Sequence, residues 1–354
     1  MMKRSNTYYG SLTRIADLQT VPFTIEEAPR SIWATGDYIV GRYVGKGAEA
    51  NLELADGSSY PLKLNDLVVG ALGDRQATYE IVGTWQLIDE ASHPVMEMIC
   101  GSGIFGIETS RCSKHPPSPR FIYEGHCFRH DKKVRMKDFV TEENTREMPD
   151  SKMILLVGSS MSSGKTFTGS SIIDIIKRDF GVQKVAAAKF TGAGYNHDIR
   201  QFKEAGADFV CDFVDVGCPS TAMPPEEYRE MVLPAILTLL AEQNADVIVG
   251  EVGASPFEKY NGVEVLKTLL VSDTRPAHVY LVLCASDAYG IVGLRQALVG
   301  EGLTTDILGV SGMAACNTAA ADLVKRVSGL QAFNLKDPVS VTDLRVLLKK
   351  CLLD

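Results

Sequence analysis

The stretch from Met153 to Lys177 constrains this chain most. An apolar run of strand length, Met153-Ile-Leu-Leu-Val157, ends in Gly158-Ser-Ser160-Met-Ser162-Ser163-Gly164, and Lys165-Thr166-Phe167 then opens an amphipathic helix. That order suits an anion. Backbone N–H groups of a Gly/Ser turn and the positive end of a helix converge on negative charge, and a lysine adds a mobile cation. The Thr166 hydroxyl can ligate the Mg²⁺ that accompanies a nucleotide. The common phosphate-binding spacing places four residues between the glycines, whereas five separate Gly158 from Gly164 here.

From Met153 onward, strand-like and helix-like segments alternate. Expected strands are 153–157, 184–188, 209–216, 246–250, 279–284, 307–311 and 330–335. Expected helices are 166–177, 197–205, 225–242, 262–270, 291–299, 318–327 and 341–353. Apolar strands without period-two alternation predict a mainly parallel, doubly wound sheet covered on both faces. Ligands of such sheets sit beyond the carboxyl ends of the strands. The segments there carry Lys189 and Thr191-Gly192, Asn196-His197-Asp198, Asp212 and Asp215, Glu251, and Asn317.

The part before residue 107 reads differently. Short strand-like runs such as 38–44, 60–64, 78–82 and 95–99, with Asp56-Gly57 as a hairpin signal, predict a small β-rich barrel or sandwich domain over residues 1–106. Residues 107–150, with Pro116-Pro117-Ser118-Pro119 and a polar run from Glu142, are expected to be a connector. The α/β domain then spans 151–354. A length of 354 residues fits two domains.

Apolar residues make up 45% and charged residues 23%, and the net charge is −8. This is a globular composition, and the acidic balance argues against general binding to nucleic acid or anionic membrane. No apolar run reaches the roughly 20 residues of a membrane-spanning helix. The basic N-terminal residues are followed by no apolar h-region, so no secretory signal is expected. The eight cysteines, Cys211, Cys284 and Cys316 among them, are expected to be reduced thiols of a cytoplasmic protein. A homo-oligomer acting on a small molecule is the expected form.

The five-residue spacing, the lysine with Thr-Gly after the next strand, Asn-x-Asp at a helix start and a strand ending in Glu resemble dethiobiotin synthetase. They also look like an uncharacterised family of related P-loop proteins with an extra N-terminal domain. The resemblance covers about residues 153–318. It implies that Gly158, Ser160, Ser162, Ser163, Gly164, Lys165, Thr166 and Phe167 form the ATP phosphate loop, with Lys165 on the β/γ-phosphates. It implies Thr166, Asp198 and Glu251 as Mg²⁺ ligands, Lys189 beside the acid or carbamate group of a substrate, and Asn317 reading the base. Lys165, Lys189 and Glu251 would be the catalytic set. Ser160 stands where the family carries an acidic residue, Ser163 where it carries a β-branched one, and only Phe190 separates Lys189 from Thr191-Gly192. These departures set aside the biotin-pathway acceptor while leaving the nucleotide site.

Blander readings stand beside these. Lys189 can be a surface or ion-paired lysine, Asp198 and Asn317 can be helix caps, and Arg200 and Lys203 fit a solvated helix face. A burial argument favours function for Glu251, because a carboxylate after the apolar run Val247-Ile-Val249 is costly without a cation. Asp212 and Asp215 are alternatives for the metal or for activating water. Cys112-Ser-Lys-His115 and Cys127-Phe-Arg-His130 repeat a Cys-x2-His spacing that can hold Zn²⁺ and rigidify the connector.

The leading expectation is an ATP- and Mg²⁺-dependent, ligase-like enzyme that phosphorylates a small carboxylate or carbamate. The alternatives are a nucleotide-hydrolysing switch or assembly chaperone, and an acyltransferase whose loop holds a coenzyme-A-type ligand.

Overall fold

The computed structural model describes residues 6–45, 50–140, 148–303 and 306–353. The chain divides into two compact units. The first comprises Met1–Glu142, Ala193–His197 and Phe213–Met223, and the second Glu143–Gly192, Asp198–Asp212 and Pro224–Asp354. Among the described residues, no helix is long and apolar enough to cross a membrane.

The first unit is built on β1 (Tyr38–Gly45), β2 (Leu67–Leu72), β3 (Val95–Cys100), β4 (Ile104–Arg111) and β5 (Arg120–Arg129). β1 pairs antiparallel with β2 and with β5, β5 pairs antiparallel with β3, and β3 pairs antiparallel with β4. A parallel pairing of β4 with β2 completes the circuit. The pairings form a closed barrel rather than a sandwich. Its interior packs Ile39, Val68, Leu72, Met96, Phe105, Phe121 and Tyr123, with the Phe105 and Phe121 rings edge-on at 5.0 Å.

The expected connector is therefore corrected. β4 runs into it and β5 lies wholly inside it, while residues 141–147 lie outside the described residues. Phe121 and Tyr123 face the core between less buried neighbours, a period-two signal that the preceding Pro116–Pro119 masks.

The zinc expectation is also corrected. Cys112 and His115 follow the end of β4, near the start of β5, whereas Cys127 and His130 lie at the far end of β5. Seven residues of strand, roughly 23 Å along the chain, separate Arg120 from Cys127. Cys127 is fully buried and burial raises its thiol pKa, which disfavours the thiolate. His130 and Asp131 form a turn with both φ positive. Among the described residues no three His, Cys, Asp or Glu side chains are grouped to hold a metal on their own.

A buried polar chain crosses this unit. The Tyr123 hydroxyl meets His126 Nδ1, and His126 Nε2 lies 3.3 Å from Asp37 Oδ2, which Lys133 also contacts. Burial lowers the His126 pKa, and the Asp37 carboxylate only partly offsets it. Folded His126 is thus neutral at pH values where the unfolded residue, near 6.5, takes up a proton. Stability is present above that pH and lost as pH falls toward the folded value, by up to about 1.4 kcal/mol per unit for one linked proton. The expected melting temperature drops as pH falls below about 6.5, and His126→Gln flattens that slope. A slope identical in the variant assigns the effect to other groups.

In the second unit, β6 (Lys152–Gly158), β7 (Val185–Thr191), β8 (Phe209–Asp212), β9 (Val247–Val252), β10 (Val279–Cys284) and β11 (Ile307–Ser311) form one sheet. Its order is β8-β7-β9-β6-β10-β11 and every pairing is parallel. Met153, Leu155 and Val157 are as fully buried as Ile154 and Leu156, so both faces are covered, as the unbroken apolar runs predict.

The helices are α1 (Lys165–Asp179), α2 (His197–Glu204), α3 (Leu233–Ala241), α4 (Gly262–Leu270), α5 (Ala288–Gly300), α6 (Thr318–Ser328) and α7 (Pro338–Leu353). Three details differ from expectation. The strand expected over 209–216 ends at Asp212, and Phe213–Met223 belong to the first unit. The helix expected over 225–242 widens to a π turn at Tyr228–Val232, where Pro234 supplies no N–H to Glu230 and its ring crowds that carbonyl. The expected strand at 330–335 is a single parallel bridge, Val310 to Ala332, flanked by backbone bonds from Val310 to Gln331 and from Phe333 to Val310.

Candidate functional site

Strand β6 lies at the centre of the sheet, between β9 and β10, and delivers its loop to the carboxyl edge. Ser162 (φ +58°) and Gly164 (φ +94°) turn the chain through left-handed conformations, and Lys165 and Thr166 start α1. Gly158 leaves room beneath the loop. A Cβ there would lie 2.6 Å from Ser163 Oγ and 2.9 Å from Lys165 Nζ. The Ser163 hydroxyl is buried and has no hydrogen-bond partner among the described residues. A cradle lined by an unsatisfied hydroxyl, a lysine and a helix N-terminus fits an oxyanion. Ser160 is buried, while Ser162 and Phe167 are exposed.

Lys165 is itself buried. Its ammonium donates to the Ser160 carbonyl at 2.9 Å and to the Ala254 carbonyl at 2.7 Å. Ala254 just beyond β9 carries no sequence signal, since only its backbone acts.

Beside the loop, parallel register aligns Glu251 on β9 with Leu156 on β6 and Lys189 on β7, and Lys189 with Asp212 on β8. Thr166 Oγ1 lies 2.9 Å from Glu251 Oε2 and 3.1 Å from Asp198 Oδ1, and the other Asp198 oxygen accepts from Lys189. Thr166 has one hydroxyl proton and two carboxylate oxygens facing it, so both cannot be satisfied by it at once. Burial raises the Glu251 pKa and the Asp198 charge adds to this, while Lys165, Lys189 and the Thr166 hydrogen bond oppose it. Burial alone would lower the Lys189 pKa, but Asp198, Glu251 and Asp212 hold it above the ordinary lysine value. Two carboxylates and a hydroxyl within such distances fit Mg²⁺, whose octahedron would be completed by water and phosphate oxygens.

The structure thus brings Lys165, Thr166, Lys189, Asp198 and Glu251 together. Lys189 is an ion-paired lysine, but a buried one. Asp215 instead sits 3.9 Å from Arg14 within the barrel unit. Arg200 pairs with Glu204 one turn away, and Lys203 donates to the Asp208 carbonyl, as a solvated helix face requires. Asn317 is exposed and caps α6, its side chain accepting from Ala320 N–H at 2.9 Å.

The segment leading to Asn317 touches the Gly158–Gly164 loop through Gly312, a contact not anticipated from the sequence. Gly312 (φ +76°) packs against Gly164, Met313 N–H donates to the Ser163 carbonyl at 3.1 Å, and a Cβ on Gly312 would lie 2.2 Å from that carbonyl. The visible signal was a glycine directly after an apolar strand, at Ser311-Gly312. Gly312→Ala is expected to displace the loop and weaken phosphate-ligand binding by at least about tenfold, since strain and clash each cost on the order of 1–3 kcal/mol. Calorimetric titration checks this, and unchanged affinity would show that the loop adapts.

No protein family matches the chain, and no curated protein matches it. Solved structures give partial likenesses. HypB from Helicobacter pylori, in complex with nickel, is 12% identical with a TM-score of 0.34 over 57% of this chain and 86% of its own. A DUF1611 family protein from Anabaena variabilis is 14% identical with a TM-score of 0.36, over 58% of this chain and 60% of its own. A ParA family ATPase from Chlorobium tepidum is 13% identical with a TM-score of 0.32, over 56% and 92%. None of these scores reaches 0.5, and the α/β assignment stands on sheet order and loop geometry.

Proposed function

We propose that the α/β unit binds a nucleoside triphosphate with Mg²⁺ and uses it to phosphorylate a small carboxylate or carbamate. The observation that carries this reading is the convergence of Thr166, Asp198 and Glu251 oxygens between two buried lysines at the N-terminus of α1. Lys165 releases its two carbonyl partners to neutralise the β/γ-phosphates, and the loop N–H groups and Ser163 hydroxyl hold their oxygens. Thr166, Asp198 and Glu251 would hold Mg²⁺, which supplies charge neutralisation for the transferring phosphoryl group.

Lys189 favours an acceptor over a pure hydrolytic switch, since water needs no second buried cation. Its ammonium orients the acceptor carboxylate, whose oxygen attacks the γ-phosphorus. The bond to the bridging oxygen breaks, its electron pair leaves with the nucleoside diphosphate, and an acyl phosphate forms.

The test measures diphosphate release with Mg-ATP in the presence of separate pools of small carboxylates and amines. Acceptor-dependent acceleration with formation of a hydroxylamine-trappable acyl phosphate is expected. Release indifferent to every pool would sink acceptor activation and leave the switch reading. Thermal stabilisation by coenzyme A, with none by ATP or GTP plus Mg²⁺, would overturn the nucleotide assignment itself. A ligand at a hundredfold over its Kd stabilises by about 2.7 kcal/mol, which such a scan resolves.

A further inference from the structure

The barrel unit contains a cavity of about 380 Å³ that takes no part in the site above. Its floor is aromatic and anchored. Trp33 and Tyr123 are buried with ring centroids 4.7 Å apart, the Trp33 indole N–H donates to the Ala28 carbonyl at 2.8 Å, and Ala28 N–H approaches the Tyr123 oxygen. The Asp37–His126–Tyr123 chain fixes the phenol from behind, so the floor does not need to be organised by a ligand.

Arg30 lines the same cavity. Its guanidinium carbon lies 4.9 Å from the Trp33 ring centroid and 4.5 Å from that of Trp85, and Nη2 donates to the Trp85 and Gln86 carbonyls. Stacking and these bonds hold the planar group in place. Nε and Nη1 make no hydrogen bond to a described residue; both paired edges of the group run through the engaged Nη2, so what remains is a single N–H donor at each, able to meet one carboxylate oxygen. Glu27, Asp89 and Glu90 also line the cavity, with His93 paired to Glu27 at 3.0 Å. That acidic rim repels a multiply charged anion and attracts an ammonium group.

We propose that this cavity binds a small neutral amino acid. The carboxylate is received by a free N–H of the fixed Arg30 guanidinium, the ammonium by the Glu27 side of the rim, and the side chain by Trp33 and Tyr123. The volume falls within the range of small-molecule sites, and a zwitterion matches one fixed guanidinium set among carboxylates. The site is independent of the nucleotide reading and stands if that reading fails.

The experiment uses the full chain, titrated calorimetrically with neutral α-amino acids, with their N-acetyl derivatives, which lack the ammonium, and with their amides, which lack the carboxylate. Saturable binding of amino acids with loss for both derivatives is expected. Arg30→Lys keeps the charge but loses the planar group stacked on Trp33 and Trp85 that fixes it, and is expected to weaken binding at least about tenfold. Glu27→Gln, at the exposed rim, tests the ammonium contact with little risk to folding and is expected to weaken binding severalfold. Lys165→Ala should leave the affinity unchanged. The proposal is overturned if no amino acid binds, if the N-acetyl or amide forms bind equally well, if folded Glu27→Gln binds like the parent, or if Lys165→Ala abolishes binding and so moves the ligand to the phosphate loop.

Discussion

Lys165→Ala is expected to abolish the stabilisation that Mg-ATP confers on the protein and to reduce nucleotide turnover by two to three orders of magnitude, roughly the effect of removing one preorganised charged donor. Two consequences of the geometry combine. The variant loses the ammonium proposed to meet the phosphates, and the Ser160 and Ala254 carbonyls lose their shared donor, so the loop relaxes. Lys165 is also among the groups that hold down the raised Glu251 pKa, so this proposed Mg²⁺ ligand becomes harder to ionise in the variant. Paired calorimetric titrations and melting curves separate loss of binding from loss of fold. Affinity equal to the parent's would show that the phosphates sit elsewhere.

Lys189→Met is expected to damage both stability and turnover. The ammonium accepts its burial because Asp198 contacts it and Glu251 and Asp212 surround it. A methionine of similar length leaves those carboxylates without their cation, and breaking a buried pair in this way costs about 3–5 kcal/mol. Glu251, already raised by burial and relieved in part by Lys189, responds by taking up a proton, so the variant's stability deficit shrinks as pH is lowered. Melting temperature against pH for parent and variant reads this directly. Mg²⁺ is expected to recover part of the deficit in the variant by restoring positive charge beside Asp198 and Glu251. A deficit that neither acid nor Mg²⁺ reduces would mean that packing, rather than charge, is what Lys189 supplies.

The α/β unit was legible because its strands are buried on both faces. Runs such as Met153–Val157 and Val279–Cys284 fit only buried strands, and Lys189 and Glu251 lie at the carboxyl ends of such strands. The barrel was only half legible. Short strands announce themselves locally, but the pairing of β1 with β5 joins residues some eighty positions apart, and no local pattern encodes it. Pro116–Pro119 hid the start of β5, and the two Cys-x2-His pairs looked related only while the strand between them was unseen. The role of Lys189 was open for another reason. A lysine after a strand reads alike whether it meets water or Asp198, and only register with Glu251 and Asp212 distinguishes them.

The barrel unit also recruits Ala193–His197 and Phe213–Met223 from the second half of the chain. Within it Gly101 N–H donates to the Tyr195 hydroxyl, Asn196 N–H to Glu53, and Gly194 N–H to the Pro219 carbonyl. The unit is compact in space but not continuous along the polypeptide. During synthesis its ring of strands can be complete once Arg129 has emerged, yet its last contacts wait for residues made some ninety positions later. A fragment cut near residue 150 would carry every barrel strand while lacking those late-arriving segments. The junction between the halves is therefore a poor place to divide this protein for separate expression or to graft the barrel elsewhere.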